Sequence, residues 1–130
     1  MKIAFATTDE KNVDEHFGRA GKFVVYEVNG AGSRYLETRT FADGEDRAVT
    51  STKDMGQAHE DAVQAKVEKL ADCRLIYLTE IGGPSAARLV SKGIMPMKVK
   101  ESGPIEKEVE RLLALIRTSP PPWLKKAINT

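Results

Sequence analysis

Two glycine-containing segments and a few polar side chains carry what chemistry this chain could do. The first segment, Asn12-Val13-Asp14-Glu15-His16-Phe17-Gly18-Arg19, offers an imidazole at His16, the side chain most often used to ligate a transition metal. Asp14 and Glu15 flank it and could orient the ring by hydrogen bonding. Phe17 could pack against the body and fix the segment, and Gly18 permits a turn or a close ligand approach. Arg19 and Lys22 could meet an anion. The second segment, Ile81-Gly82-Gly83-Pro84-Ser85, has the form of a strand-to-helix turn. There the first free N–H groups of the helix favour negative charge, less the one that Pro84 lacks. The third candidate is His59, followed by Glu60 and Asp61, whose charges suit a helix N-terminus. Each has a plainer reading, as a solvated loop, a tight turn and a helix cap respectively, and residue type alone does not choose. Cys73 is the chain's one cysteine, which excludes an intrachain disulfide and cannot supply the thiolate set that ordinarily holds an iron–sulfur cluster.

The elements that must position these residues are legible from periodicity. Residues 2–8 alternate as a strand, with Ile3 and Phe5 on one face. Residues 23–28 and 35–41 flank the turn signal Asn29-Gly30-Ala31-Gly32 and read as a hairpin. Residues 42–55 read as a long polar loop. Residues 58–71 have helical spacing at Val63, Val67, Leu70 and Ala71, leaving Glu60, Asp61, Lys66, Glu68 and Lys69 for the wet face. Residues 74–79 form a nearly continuous apolar run, the mark of a strand covered on both sides. A short helix after Gly82, with Gly93 as its stop, a strand over 94–99 or from after Pro96, and a helix from Gly103-Pro104 complete the order. Its buried stripe is Ile105, Val109, Leu112, Leu113 and Ile116. An antiparallel meander followed by βαβ units makes an α/β protein with a mixed five-stranded sheet flanked by helices, in a ribonuclease-H-like arrangement. On that topology His16 and Gly82 lie at the carboxyl pole of the sheet and a half-buried Cys73 at the amino pole. A single domain is expected over 1–118. The tail 119–130, with Pro120 to Pro122 and then Trp123, reads as an extended arm, either tucking Trp123 onto the body or docking on a partner.

Composition narrows the function classes. The chain has 130 residues, 41% hydrophobic and 30% charged, enough for one buried core. A net charge of +1, from 20 basic and 19 acidic side chains, disfavours nucleic acid as a partner. No stretch approaches the roughly 20 apolar residues of a membrane span, and Thr7 to Glu10 cut short any signal-peptide core, so a cytoplasmic protein is expected. There is no GxSxG elbow, and the first strand carries no acid before Asp9, against a metal-dependent nuclease.

The segments KIAFATTD, VDEHFGRAGKFVVYEV, HEDAVQAKVEKLADCRLIYLTEIGGPSAARLVSKGIMPMKV and PPPWLKKAI together resemble the NifX/NafY family of nitrogenase-cofactor carriers, over nearly the whole chain. Asp14 to Gly18 is the most specific short motif, and the HED helix start and proline-tryptophan tail resemble the NifX branch. The resemblance implies a non-enzymatic protein. It would bind the iron-molybdenum cofactor or its iron–sulfur precursor transiently, through His16 as metal ligand. Phe17, Gly18, Arg19, Gly82, Gly83, Ser85 and His59 would line the site; by residue type His59, Met55 or Met97 could supply a second ligand, and nothing in the spacing selects one. The implied partners are the nitrogenase cofactor-assembly scaffold and cluster-donating proteins. The alternative is an adaptor that docks on that scaffold through Trp123 without touching the cluster.

Overall fold

The computed structural model describes residues 1–41 and 63–128. Its main sheet has five strands: β1 (Lys2–Thr7), β3 (Lys22–Asn29), β4 (Gly32–Thr40), β5 (Leu75–Leu78) and β6 (Met95–Lys98). Two-residue strands β2 (Asn12–Val13) and β7 (Gly103–Pro104) pair separately and antiparallel. The order across the main sheet is β4-β3-β1-β5-β6. β1 runs antiparallel to β3 and parallel to β5, and β5 is parallel to β6. This is the mixed, ribonuclease-H-like sheet expected from the sequence. The loop reading of 42–55 lies outside the described residues.

Burial follows from position. All four residues of β5 are buried, because the strand has a neighbour on each side and helices over each face. Alternation along β1 sends Ala4 and Ala6 to one face and Ile3 and Phe5 to the other. On the alanine side pack Val63 and Val67 of helix α1 (described over 63–69) and Leu89 of α2 (Gly83–Ser91). On the other side pack Ile105, Val109 and Leu112 of α3 (Ile105–Thr118). There Phe5 stacks on Tyr77 with ring centroids 4.9 Å apart.

Three expectations change. Pro96 lies inside β6 rather than before it, which is tolerated because β6 is an edge strand with only β5 beside it. The tail is not an extended arm: Pro122–Ile128 form α4, since a proline in the first helical turn gives up an N–H that has no partner there anyway. It is Leu124 that tucks into the core, while Trp123 stays 37% exposed. Lys66, assigned to the wet face, is 1% exposed. No helix of the described residues is long and apolar enough to cross a membrane.

The amino pole of the sheet is clamped by charge. The guanidinium of Arg39 donates to both carboxylate oxygens of Asp72, each at 2.7 Å, and to the Lys69 carbonyl at 3.0 Å. Lys2 adds a 3.1 Å contact to Asp72. The Arg39 hydrogen bonds hold the Asp72 carboxyl well below the usual carboxylate range. Asp72 therefore adds stability that is present above its unfolded-state pKa and fades as the pH falls through and below that range.

α2 ends in a Schellman motif. The Gly93 N–H donates to Val90 O and the Ile94 N–H to Leu89 O, both at 2.9 Å, with Ile94 packed in the same core as Leu89. Gly93 sits at φ +80°, where a Cβ is disfavoured. Gly93→Ala should lower unfolding free energy by about 1–2 kcal/mol in urea titration, with an unchanged m-value.

Candidate functional site

The segment carrying His16 is built into the carboxyl end of the sheet. β1 ends at Thr7, and an Asx-type turn follows in which Asp9 accepts from the N–H groups of Lys11 and Asn12, each at 2.9 Å. The chain returns through β2, whose Val13 is buried and pairs with Gly103. Asp14 then accepts from the Thr8 N–H at 2.8 Å and from the Thr8 hydroxyl at 2.6 Å. The next residues run alongside the end of β5. The Thr79 N–H donates to Glu15 O (3.1 Å), the Phe17 N–H donates to Glu80 O (2.9 Å), and His16 and Glu80 form a parallel bridge.

Below the loop, Phe17 is fully buried against Phe23, worth roughly 1.5–3 kcal/mol over an exposed ring. The Lys66 ammonium approaches from α1. It donates to the Phe17 carbonyl at 3.1 Å and the Gly18 carbonyl at 3.5 Å, and lies 5.3 Å from the Phe17 ring centroid. Phe17 to Arg19 wind into a single 3-10 turn capped by His16, whose own side chain is exposed. Loop backbone and Phe17 are thus fixed from within, while the imidazole faces out.

Asp14 and Glu15 do not orient that ring. Asp14 is engaged with Thr8, and Glu15 accepts from the His16 main-chain N–H at 2.8 Å. Neither ring nitrogen of His16 has a hydrogen-bond partner among the described residues. Glu80 is the carboxylate brought beside it; its carboxyl is held down chiefly by Lys98, 3.1 Å away, with a smaller pull from His16. Arg19 is exposed and makes no ion pair among the described residues, and Lys22 is 4.0 Å from Glu10.

The second predicted segment arrives at the same pole. Two residues after Glu80, Gly82 caps α2, and Gly83, Pro84 and Ser85 form its first turn. Gly82 has an ordinary φ of −77°, and a Cβ on Gly83 would meet nothing within 4 Å. The protein's own packing does not require these glycines, and they leave the turn's backbone bare. The third predicted residue, His59, lies outside the described residues, as does Met55. Met97 lies on β6, lining a cavity near α3.

Cys73 stands apart, at the amino end of β5, and is 1% exposed rather than half-buried. Burial pushes its thiol up to about 12, with Asp72 adding to the effect. It remains a protonated thiol at neutral pH. Among the described residues no group of three or more His, Cys, Asp or Glu could hold a bare metal ion.

Lys66 and Glu80 were missed by reading the sequence. Nothing in a helical lysine announces that its partners are main-chain carbonyls of a distant loop, and Glu80 gains its place only once β5 is docked beside that loop.

The fold is shared with the crystal structure of PH0822, at a TM-score of 0.64 and 16% identity, covering 95% of this chain and 98% of that one. NifX of Rhodobacter capsulatus is 37% identical over 130 residues, covering 100% of this chain and 79% of the relative. NifX of Sinorhizobium fredii is 38% identical over 128 residues, covering 98% and 78%. The family model for dinitrogenase iron-molybdenum cofactor matches residues 1–115, and the chain belongs to that family.

Two measurements check the site. Lys66→Ala should cost about 2–4 kcal/mol in chemical denaturation, from the lost charge-assisted bond plus the space left behind. It should also speed amide exchange at Arg19 and Ala20, whose N–H groups close the 3-10 turn on His16 O and Phe17 O. Cys73 should resist iodoacetamide in the native protein at pH 8 and react only on unfolding; fast native alkylation would show a free thiolate instead.

Proposed function

We propose that this protein is a non-enzymatic, cytoplasmic carrier in nitrogenase cofactor assembly. It binds the iron-molybdenum cofactor or its iron–sulfur precursor as cargo, with His16 as the protein's metal ligand. The observation that carries this reading is an exposed imidazole, free of hydrogen bonds among the described residues, on a backbone held rigid from below.

The donor set favours a preassembled cluster over a bare ion. A bare ion needs several convergent ligands, which the described residues do not provide. A cluster brings its own sulfides and needs few further bonds. One imidazole gives a labile attachment, as a carrier requires. The open turn at Gly82 and Gly83, with Ser85 in the same helical turn, and the exposed Arg19 would meet the anionic surface of such a cargo. Exposed helix-terminus interactions are worth only about 0.3–1 kcal/mol, so coordination must dominate. Phe17 and Gly18 act through position, the one as anchor and the other through its carbonyl on Lys66. Partners would be the assembly scaffold and cluster-donating proteins.

Anaerobic titration with isolated cluster, followed by absorbance and electron paramagnetic resonance, tests the assignment. His16→Ala should weaken binding at least about 100-fold with an unchanged circular dichroism spectrum. Equal affinity in wild type and variant would remove His16 as ligand.

A further inference from the structure

The face of the sheet covered by α3 carries a second surface, separate from His16. Trp123 of α4 stands between two cavities. The larger, about 690 Å³, is floored by Tyr77, Met97 and Leu112 and rimmed by lysines. The smaller, about 280 Å³, lies against Leu75, Gly93 and Met95. Three of the five large hydrophobic side chains exposed among the described residues, Met95, Leu115 and Trp123, line these two cavities. Exposed apolar surface gathered in one place marks an interaction site more than the same residues scattered would.

Charge says what kind of partner fits. The larger cavity is rimmed by Lys98, Lys100, Lys107 and Arg111 against Glu101 and Glu108. Lys98 is paired with Glu80 and Arg111 with Glu108, whereas Lys100 and Lys107 have no acidic partner among the described residues. At the floor, Tyr77 is only 5% exposed, and its hydroxyl has no hydrogen-bond partner among the described residues. A buried donor of this kind calls for an oxygen acceptor from whatever enters. The nearby strand edge does not invite strand addition, because Pro96 in β6 has no N–H to offer. Docking here must run through side chains.

We infer that the paired cavities dock an acidic segment of a partner protein, which seats one apolar side chain on each side of Trp123 and an oxygen on the Tyr77 hydroxyl. The residues that test it, Tyr77, Lys100 and Lys107, belong to no part of the proposed cluster site, so either reading can fail without the other.

Trp123 is the only tryptophan of the chain and reports on its own occupancy. Short random peptides displayed on phage would be selected against the full-length protein, and the enriched sequences synthesised and titrated by tryptophan emission. Enriched peptides should be acidic, carry a pair of large apolar residues, and shift the emission saturably. Lys100→Glu combined with Lys107→Glu should weaken them at least about tenfold, and Tyr77→Phe about threefold to tenfold, with native circular dichroism in each variant. His16→Ala should bind them as wild type does. Failure to enrich any peptide, enrichment of sequences without acidic residues, or equal affinity for the charge-reversed variant would overturn the inference. An emission shift that grows with protein concentration alone would assign the surface to a second copy of this chain and overturn it equally.

Discussion

An ammonium group taken out of water has to replace its hydration shell with oxygen atoms of the protein, and for Lys66 two of these are the main-chain carbonyls of Phe17 and Gly18. That requirement ties α1 to the loop between β1 and β3. Phe17 supplies the apolar half of the same attachment, with the ammonium over its ring. The loop is bonded as well to the end of β5 through Glu15 and Phe17, and to β7 through Asn12 and Val13. A segment with only three residues of helical turn and two of strand is thereby held from three directions. The imidazole of His16 projects from a base that is rigid for reasons unrelated to His16 itself.

Much of this architecture was legible in the sequence. The apolar run of β5 announced a strand covered on both faces, the Asn29 to Gly32 signal a hairpin, and the spacing of Ile105, Val109 and Leu112 the buried stripe of α3. Each is a local pattern whose period reports the element directly. The placing of His16 and the Gly82 turn at one pole of the sheet could be inferred too, because both follow strands that run parallel at its centre. The short pair β2 and β7 was not readable, since two residues have no period.

What failed to show in the sequence depends on tertiary partners. Lysine defaults to solvent, and partners distant in sequence, among them the carbonyls of a loop 48 and 49 residues away, reverse that for Lys66. Three prolines announced the end of α3 correctly but not the start of α4, because a proline closing one helix and a proline opening another are the same residue in sequence. Asp14 and Glu15 looked like natural companions for the His16 ring by adjacency, yet their carboxylates satisfy main-chain and Thr8 donors first. The carboxylate that reaches the ring's surroundings, Glu80, comes from the neighbouring strand.

The two borders of the sheet differ in how they are finished. β4 carries alternating charge at Arg34, Glu37 and Arg39, and β6 carries Pro96. A border strand with free N–H and C=O groups is a template on which another chain can polymerise. Here the charges of one border are committed to pairs within the chain, with Glu27, Glu37 and Asp72, and the proline of the other interrupts its ladder. A sheet finished in this way is a poor template for fibrous self-assembly, a safeguard written into its margins rather than its centre.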